Sequence, residues 1–135
     1  MVWRSFLRAH AQVIRSLEAD LADAGNLPIA SYDVLVQLAE APERRLRMTE
    51  LAERVLLSRS GLTRLIDRLE RDRLVRREPC ADDARGMFAV LTDHGVDRLR
   101  EASRVHLPGV SQHFVRKFSR QELTRLGQLL ARLTD

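Results

Sequence analysis

A single cysteine, Cys80, rules out an internal disulfide and makes a reducing compartment, the cytoplasm, the expected location. Lysine is nearly missing: of 23 basic residues only Lys117 is not arginine. That bias points first to GC-rich coding DNA and only second to phosphate binding. Aromatic residues make up 4% of the chain, so the core has to come from leucine, valine, isoleucine and alanine. No apolar run reaches the length of about 18 residues needed to cross a bilayer, and no leader or lipidation pattern occurs, so neither secretion nor a membrane partner is expected. Neither Ser58 nor Ser60 sits in a G-x-S-x-G elbow, Gly86 and Gly95 belong to no phosphate-cradling loop, and no sequence-local histidine and acid make a case for a triad. An enzyme is therefore not expected. The four histidines, His10, His94, His106 and His113, are scattered. His106 and His113 could share a helix face, but Pro108 lies between them, and a metal site needs three or four converging ligands. No metal or other cofactor is expected.

What remains is an ordinary soluble composition, 31% charged and 44% hydrophobic over 135 residues, enough for one small domain. The net charge of +4 is by itself a weak sign of a nucleic-acid partner. Val2 to Ala24 reads as a helix with Trp3, Phe6, Leu7, Val13, Ile14, Leu17 and Leu21 in one stripe, stopped at Gly25. A second helix is predicted from Ser31 to about Ala41, before Pro42, and Glu43-Arg44-Arg45 reads as a charged loop. Near the other end Thr92 caps a long helix from about Asp93 to Phe118, which Pro108-Gly109 should kink or interrupt. Ser119 and Glu122 form a capping box opening a last helix lined by Leu123, Leu126, Leu129, Leu130 and Leu133. The first and last helices carry more apolar surface than the middle of the chain can cover, and burial stabilises by roughly 25 cal/mol per Å². A twofold dimer is the economical answer; a monomer with these helices packed on each other is the alternative.

The middle, Arg47 to Thr92, is where the chemistry concentrates. Thr49 reads as the N-cap of a short helix with Glu50 and Glu53 near its positive end and Leu51, Val55 and Leu56 on its apolar side. Ser58 caps a second helix in which Leu62, Leu65, Ile66 and Leu69 follow a buried-face spacing. Ser60, Thr63, Arg64, Arg68 and Arg71 fall on the opposite side. Guanidinium forks and hydroxyls on one helix suit the edges and phosphates of a DNA major groove, and Ser60 and Gly61 allow close approach. The bland alternative is a solvated face whose arginines pair with Asp67 and Glu70. Two β-type runs follow, Leu74–Arg77 and Phe88–Leu91, joined by a polar loop from Pro79 to Gly86 that holds Asp82, Asp83 and Arg85. Helix, turn, helix and hairpin make a winged helix, so the fold expected is mainly α with a small β-hairpin wing. Cys80 is expected to be exposed in the wing loop, with Arg76 and Arg77 close enough to favour thiolate chemistry, which makes a redox switch conceivable there.

The runs LLSRSGLTRLIDRLERDRLVRR, DARG and AVLTDHG, read in that order, resemble the MarR family of bacterial winged helix-turn-helix transcriptional regulators, and the flanking helices follow the family's order. The chain departs from the pattern at Asp72-Arg73, where the family has a glycine in second place. The resemblance implies a single MarR-type domain with dimerisation and support helices at 1–41 and 97–135 and the winged helix at 42–96. It implies a homodimer that binds an inverted-repeat operator in double-stranded DNA as a repressor. Ser58, Arg59, Ser60, Thr63, Arg64, Arg68 and Arg71 would serve the major groove and Arg85 the minor groove, with Asp83 holding Arg85 through a charge-assisted bond. It also implies release by a small aromatic or acidic effector, for which Trp3, His10, Arg15 and Tyr32 are the candidate lining. Two alternatives stay open: a winged-helix module that binds an acidic protein instead of DNA, and a thiol-based regulator using Cys80.

Overall fold

In a computed structural model of the chain, residues 1–55 and 57–134 are described; Leu56, expected on the apolar side of the first short helix, lies outside them. The order is α1 (Val2–Asp23), α2 (Ile29–Glu40), a 3-10 turn (Pro42–Arg44), β1 (Arg45–Arg47), α3 (Met48–Val55), α4 (Arg59–Arg71), β2 (Val75–Cys80), β3 (Asp83–Leu91), α5 (Asp93–His113), a second 3-10 turn (Val115–Lys117) and α6 (Arg120–Ala131). This is the expected class, mainly α with a small antiparallel sheet in a winged helix. The residues group into two compact units, Asn26–Ser103 and Met1–Gly25 with Arg104–Asp135.

In the first unit the core is made by α2, α3, α4 and the sheet: Val34, Leu35, Leu38, Leu51, Leu62, Ile66, Leu74 and Val75 are almost wholly buried. The sheet has the order β1-β3-β2. β1 was not expected, because a three-residue strand has no readable alternation. It forms through long-range pairing, Leu46 opposite Ala89 and Arg47 opposite Phe88. Leu46 is buried, while the guanidiniums of Arg45 and Arg47 lie 4.4 and 5.7 Å from the centre of the Phe88 ring, a cation–π arrangement. α3 starts at Met48, so Thr49 falls inside the first turn instead of at the cap.

Two joints fix the wing to the helices. At the end of α4, Arg73 adopts φ +63, the left-handed geometry that glycine supplies without strain. Its N–H bonds the Glu70 carbonyl at 3.0 Å and the Leu74 N–H bonds the Leu69 carbonyl at 2.9 Å, a complete Schellman motif. The helix end is thus as tight as with glycine, and arginine bears the strain. At the start of α5 the Thr92 hydroxyl accepts the Gly95 N–H at 2.9 Å, as its capping role requires. The same hydroxyl lies 2.7 Å from the Arg73 carbonyl and 3.0 Å from that of Leu74. Tyr32 is a core residue here, its hydroxyl 2.9 Å from that of Ser103.

In the second unit Leu17 and Leu21 are the buried residues of α1, and α1 ends before Gly25 at φ +64. α5 runs through Pro108 without the expected interruption. Pro108 removes one helical hydrogen bond, but the neighbouring turns are held: Gly109 faces Leu17 and Asp20 at a distance that leaves no room for a Cβ, and His113 Nε2 meets Asp20 Oδ2 at 2.8 Å. The helix stops at His113 and not at Phe118, because the chain folds into the Val115–Lys117 turn with the Phe114 and Phe118 rings edge to face at 5.5 Å. The Ser119–Glu122 capping box forms as expected. Among the described residues every strongly exposed large hydrophobic side chain belongs to this unit, Trp3, Phe6, Leu7, Leu107, Phe118 and Leu133 among them, and α6 has no buried residue.

Candidate nucleic-acid interface

α4 forms because Ser58 accepts the Gly61 N–H at 3.1 Å and because Leu62, Leu65, Ile66 and Leu69 share one buried face. The opposite face, Ser60, Thr63, Arg64, Asp67, Arg68 and Arg71, is exposed. Thr63 turns its hydroxyl back to the Arg59 carbonyl at 2.8 Å, and Ser58 and Ser60 hydroxyls are 3.3 Å apart. Gly61, Arg64, Asp67, Arg68 and Arg71 line a shallow groove along the helix. Among the described residues the guanidiniums of Arg59, Arg64 and Arg68 have no protein partner, and that of Arg71 has only a long 3.4 Å bond to the Asp67 carbonyl. The two acids of α4 are not paired with these arginines. Both are taken by Arg77 of β2, whose guanidinium lies 2.6 Å from Asp67 and 2.9 Å from Glu70, while its backbone N–H bonds Glu70 at 3.0 Å. The solvated-face alternative, in its paired form, does not hold.

The wing differs from the loop expected between Pro79 and Gly86. β2 and β3 pair regularly from Val75 opposite Leu91 to Pro79 opposite Met87, then jump to Cys80 opposite Asp83. Ala84, Arg85 and Gly86 therefore have no residue across from them and form a bulge on β3, and Ala81-Asp82 make the turn. Arg85 is carried on that bulge, exposed, with no side-chain partner among the described residues. The Asp83 carboxylate does not hold the Arg85 guanidinium. It accepts the Arg85 backbone N–H at 3.0 Å and lies 3.6 Å from Arg47, which also forks onto Asp82 at 3.0 and 3.1 Å. Asp83 shapes the bulge, then, by fixing its backbone. A cleft of about 310 Å³ separates the wing from the helices, with Arg47, Thr49, Thr63, Arg77, Arg85 and Met87 on its walls.

A MarR family model matches residues 26–86, which hold this helix, the wing turn and the bulge. AbsC of Streptomyces coelicolor, a MarR family transcriptional regulator, is 38% identical, with a TM-score of 0.92 over 98% of this chain and 89% of AbsC. This chain belongs to the MarR family. A second Streptomyces coelicolor MarR regulator, solved in complex with DNA, is also 38% identical, with a TM-score of 0.93 over 98% of this chain and 84% of that one. The HTH-type transcriptional repressor YetL of Bacillus subtilis is 32% identical over 107 residues, which is 76% of this chain but only 64% of YetL. The MarR chain described here thus spans less than two thirds of that relative.

Cys80 is buried, not exposed as expected. The MarR wing bulge folds back over it, so that a Cβ on Gly86 would come within 3.0 Å of its sulfur. The arginines expected near the thiol are engaged elsewhere, Arg76 with Glu78 at 3.0 Å and Arg77 with α4. An accessible thiol switch loses its physical basis. Of the candidate effector residues, Trp3 and His10 flank Phe6 in a stack along α1, with ring centres 6.0 and 6.5 Å apart, and Arg15 bonds Gln12 at 2.9 Å. Tyr32 is a buried member of the winged-helix unit. Sequence reading missed Arg47 and Arg77 as organisers of the site; the only signal was that both lie in arginine-rich segments, RRLR at 44–47 and RDRLVRR at 71–77. No described helix is long and apolar enough to cross a membrane, and no group of three metal-binding side chains occurs among the described residues.

Proposed function

We propose that the chain is a homodimeric, cytoplasmic repressor of transcription that binds an inverted-repeat operator in double-stranded DNA and is released by a small aromatic or acidic effector. The observation that carries the DNA reading is the set of unpaired guanidiniums on Arg59, Arg64, Arg68 and Arg85, displayed on α4 and on the wing bulge of one unit while the nearby acids are paired with another arginine. A charged side chain kept without a protein partner is available to phosphate or guanine. In this reading α4 lies in the major groove, with Ser58, Ser60 and Thr63 at its entry and Arg71 at its far end, and Arg85 enters the minor groove. The DNA-bound relative supports it, and so does the repressor among the relatives.

The exposed stripe of Trp3, Phe6 and Leu7 and the uncovered face of α6 support the dimer, since apolar area of this kind is stabilised by burial against a like surface. Replacing Leu126 and Leu130 together by Glu is expected to convert the dimer to monomer or aggregate in sedimentation; a wild type that sediments as a compact monomer removes the claim, and with it the palindromic site. The effector rests on family resemblance alone: of its candidate residues Trp3, His10 and Arg15 lie on α1, and Tyr32 is a buried residue of the winged-helix unit.

The deciding experiment is binding of random and operator duplex at several salt concentrations. Phosphate contact gives log K falling linearly with log salt at a slope of roughly −0.9 per neutralised phosphate. A flat dependence with no preferred sequence refutes the DNA reading and favours an acidic protein partner for the same arginines.

A further inference from the structure

Asp67 shares its groove with Arg64, Arg68 and Arg71, and Glu70 follows one turn on. In the proposed complex these carboxylates would stand beside phosphates, and each would oppose binding. Arg77 meets both, at 2.6 and 2.9 Å, and anchors the geometry with two further bonds, its backbone N–H to Glu70 at 3.0 Å and its guanidinium to the Thr63 carbonyl at 3.4 Å. Its side chain is 21% exposed, whereas Asp67 and Glu70 are 52% and 42% exposed. The cation is thus the better sheltered member of the cluster, and it reaches the acids from β2, beside α4.

We propose that Arg77 is a positioning and charge-masking residue of the DNA interface: it offsets one of the two negative charges of Asp67 and Glu70 and holds both carboxylates toward β2, so that α4 presents its own four arginines to the duplex against a weaker opposing field. This rests on the DNA reading above. Arg77 does not itself touch DNA. Its effect is sequence-independent, because the repulsion it suppresses is between carboxylate and backbone phosphate. It also explains why the neighbouring Arg76, which pairs with Glu78 of its own strand at 3.0 Å, cannot take its place.

The test is a cycle of variants measured by fluorescence anisotropy on operator and on random duplex over a range of salt. Arg77→Met keeps the aliphatic stem and removes the charge; it is expected to weaken both duplexes by about tenfold, by the scale of a lost charge near phosphate. Adding Asp67→Asn and Glu70→Gln to Arg77→Met is expected to restore both affinities to within about twofold of wild type, because no charge is left to mask. Asp67→Asn with Glu70→Gln in the otherwise native chain, where Arg77 remains to hold the fold, is expected to tighten binding on both. A triple variant that stays as weak as Arg77→Met while melting like the native protein overturns the masking role. So does a triple variant whose salt slope is shallower than wild type by about one phosphate, since Arg77 would then be a direct contact. If the native chain shows no salt-dependent duplex binding at all, the DNA reading fails, and that is visible before any variant is made.

Discussion

Replacing Gly95 by alanine sets two effects of opposite sign against each other. Gly95 lies in the first turn of α5, where alanine is favoured over glycine by about 1 kcal/mol on helix propensity alone. A methyl there, however, would overlap the Leu74 carbonyl oxygen and stand 2.5 Å from Leu91 Cδ1. The Leu91 side chain can turn. The Leu74 carbonyl is held in place by the Thr92 N–H at 3.1 Å and faces the Thr92 hydroxyl at 3.0 Å. Overpacking costs about 1–3 kcal/mol, and a backbone oxygen with bonds to lose belongs at the upper end. The net expectation is a loss of about 2 kcal/mol, with the clash outweighing the propensity gain. For a chain of this length that lowers Tm by roughly 6–10 °C, measured by thermal and urea unfolding with far-UV circular dichroism. Gly127 in α6 is the internal control: nothing lies within 4 Å of its absent Cβ, so Gly127→Ala is expected to gain up to about 1 kcal/mol. If Gly95→Ala also raises Tm, the close approach of α5 to Leu74 does not constrain the fold and the reasoning is refuted.

Arg73→Gly is expected to stabilise the winged helix by about 1 kcal/mol, since it relieves a left-handed residue without touching the Schellman bonds; a lower midpoint in urea would show that the arginine side chain contributes more than its backbone costs. Arg64→Ala is expected to cost about 1–3 kcal/mol on the operator and much less on random duplex if Arg64 reads a base, and equal losses would reassign it to phosphate. Asp83→Ala removes the acceptor for the Arg85 N–H and is expected to weaken operator binding less than Arg85→Ala, with the double variant no weaker than Arg85→Ala alone. Tighter binding by Asp83→Ala would mean that only its negative charge matters.

What was legible in the sequence was local. α4 shows its cap at Ser58 and its face at Leu62, Leu65, Ile66 and Leu69 because both signals lie within a few residues, and the Ser119 capping box is of the same kind. β1 was illegible because Leu46 acquires its meaning only opposite Ala89, a pairing that no window of sequence contains. Cys80 looked exposed among turn-forming neighbours, and it is buried because a bulge visible only in the strand register folds over it. The partner of Asp83 was placed on the right residue, Arg85, but on the wrong group, since spacing cannot tell a guanidinium from a backbone N–H. Pro108 does not interrupt α5, and the contact that secures the following turns, His113 to Asp20, comes from far away in the chain.

The three residues that β2 leaves without partners give the wing a spare length of chain. Deleting a residue between Val75 and Pro79 would slip the ladder and turn every later side chain to the opposite face. The segment Ala84-Arg85-Gly86 lies outside that constraint, bounded by Met87 opposite Pro79 on one side and Asp83 opposite Cys80 on the other. Shortening or exchanging it leaves both boundary pairs in register. The bulge is therefore a graftable cassette: segments that keep glycine where Gly86 packs against Cys80 and Asp83 can be installed there to change the surface of the wing while the ladder below continues to fold as before.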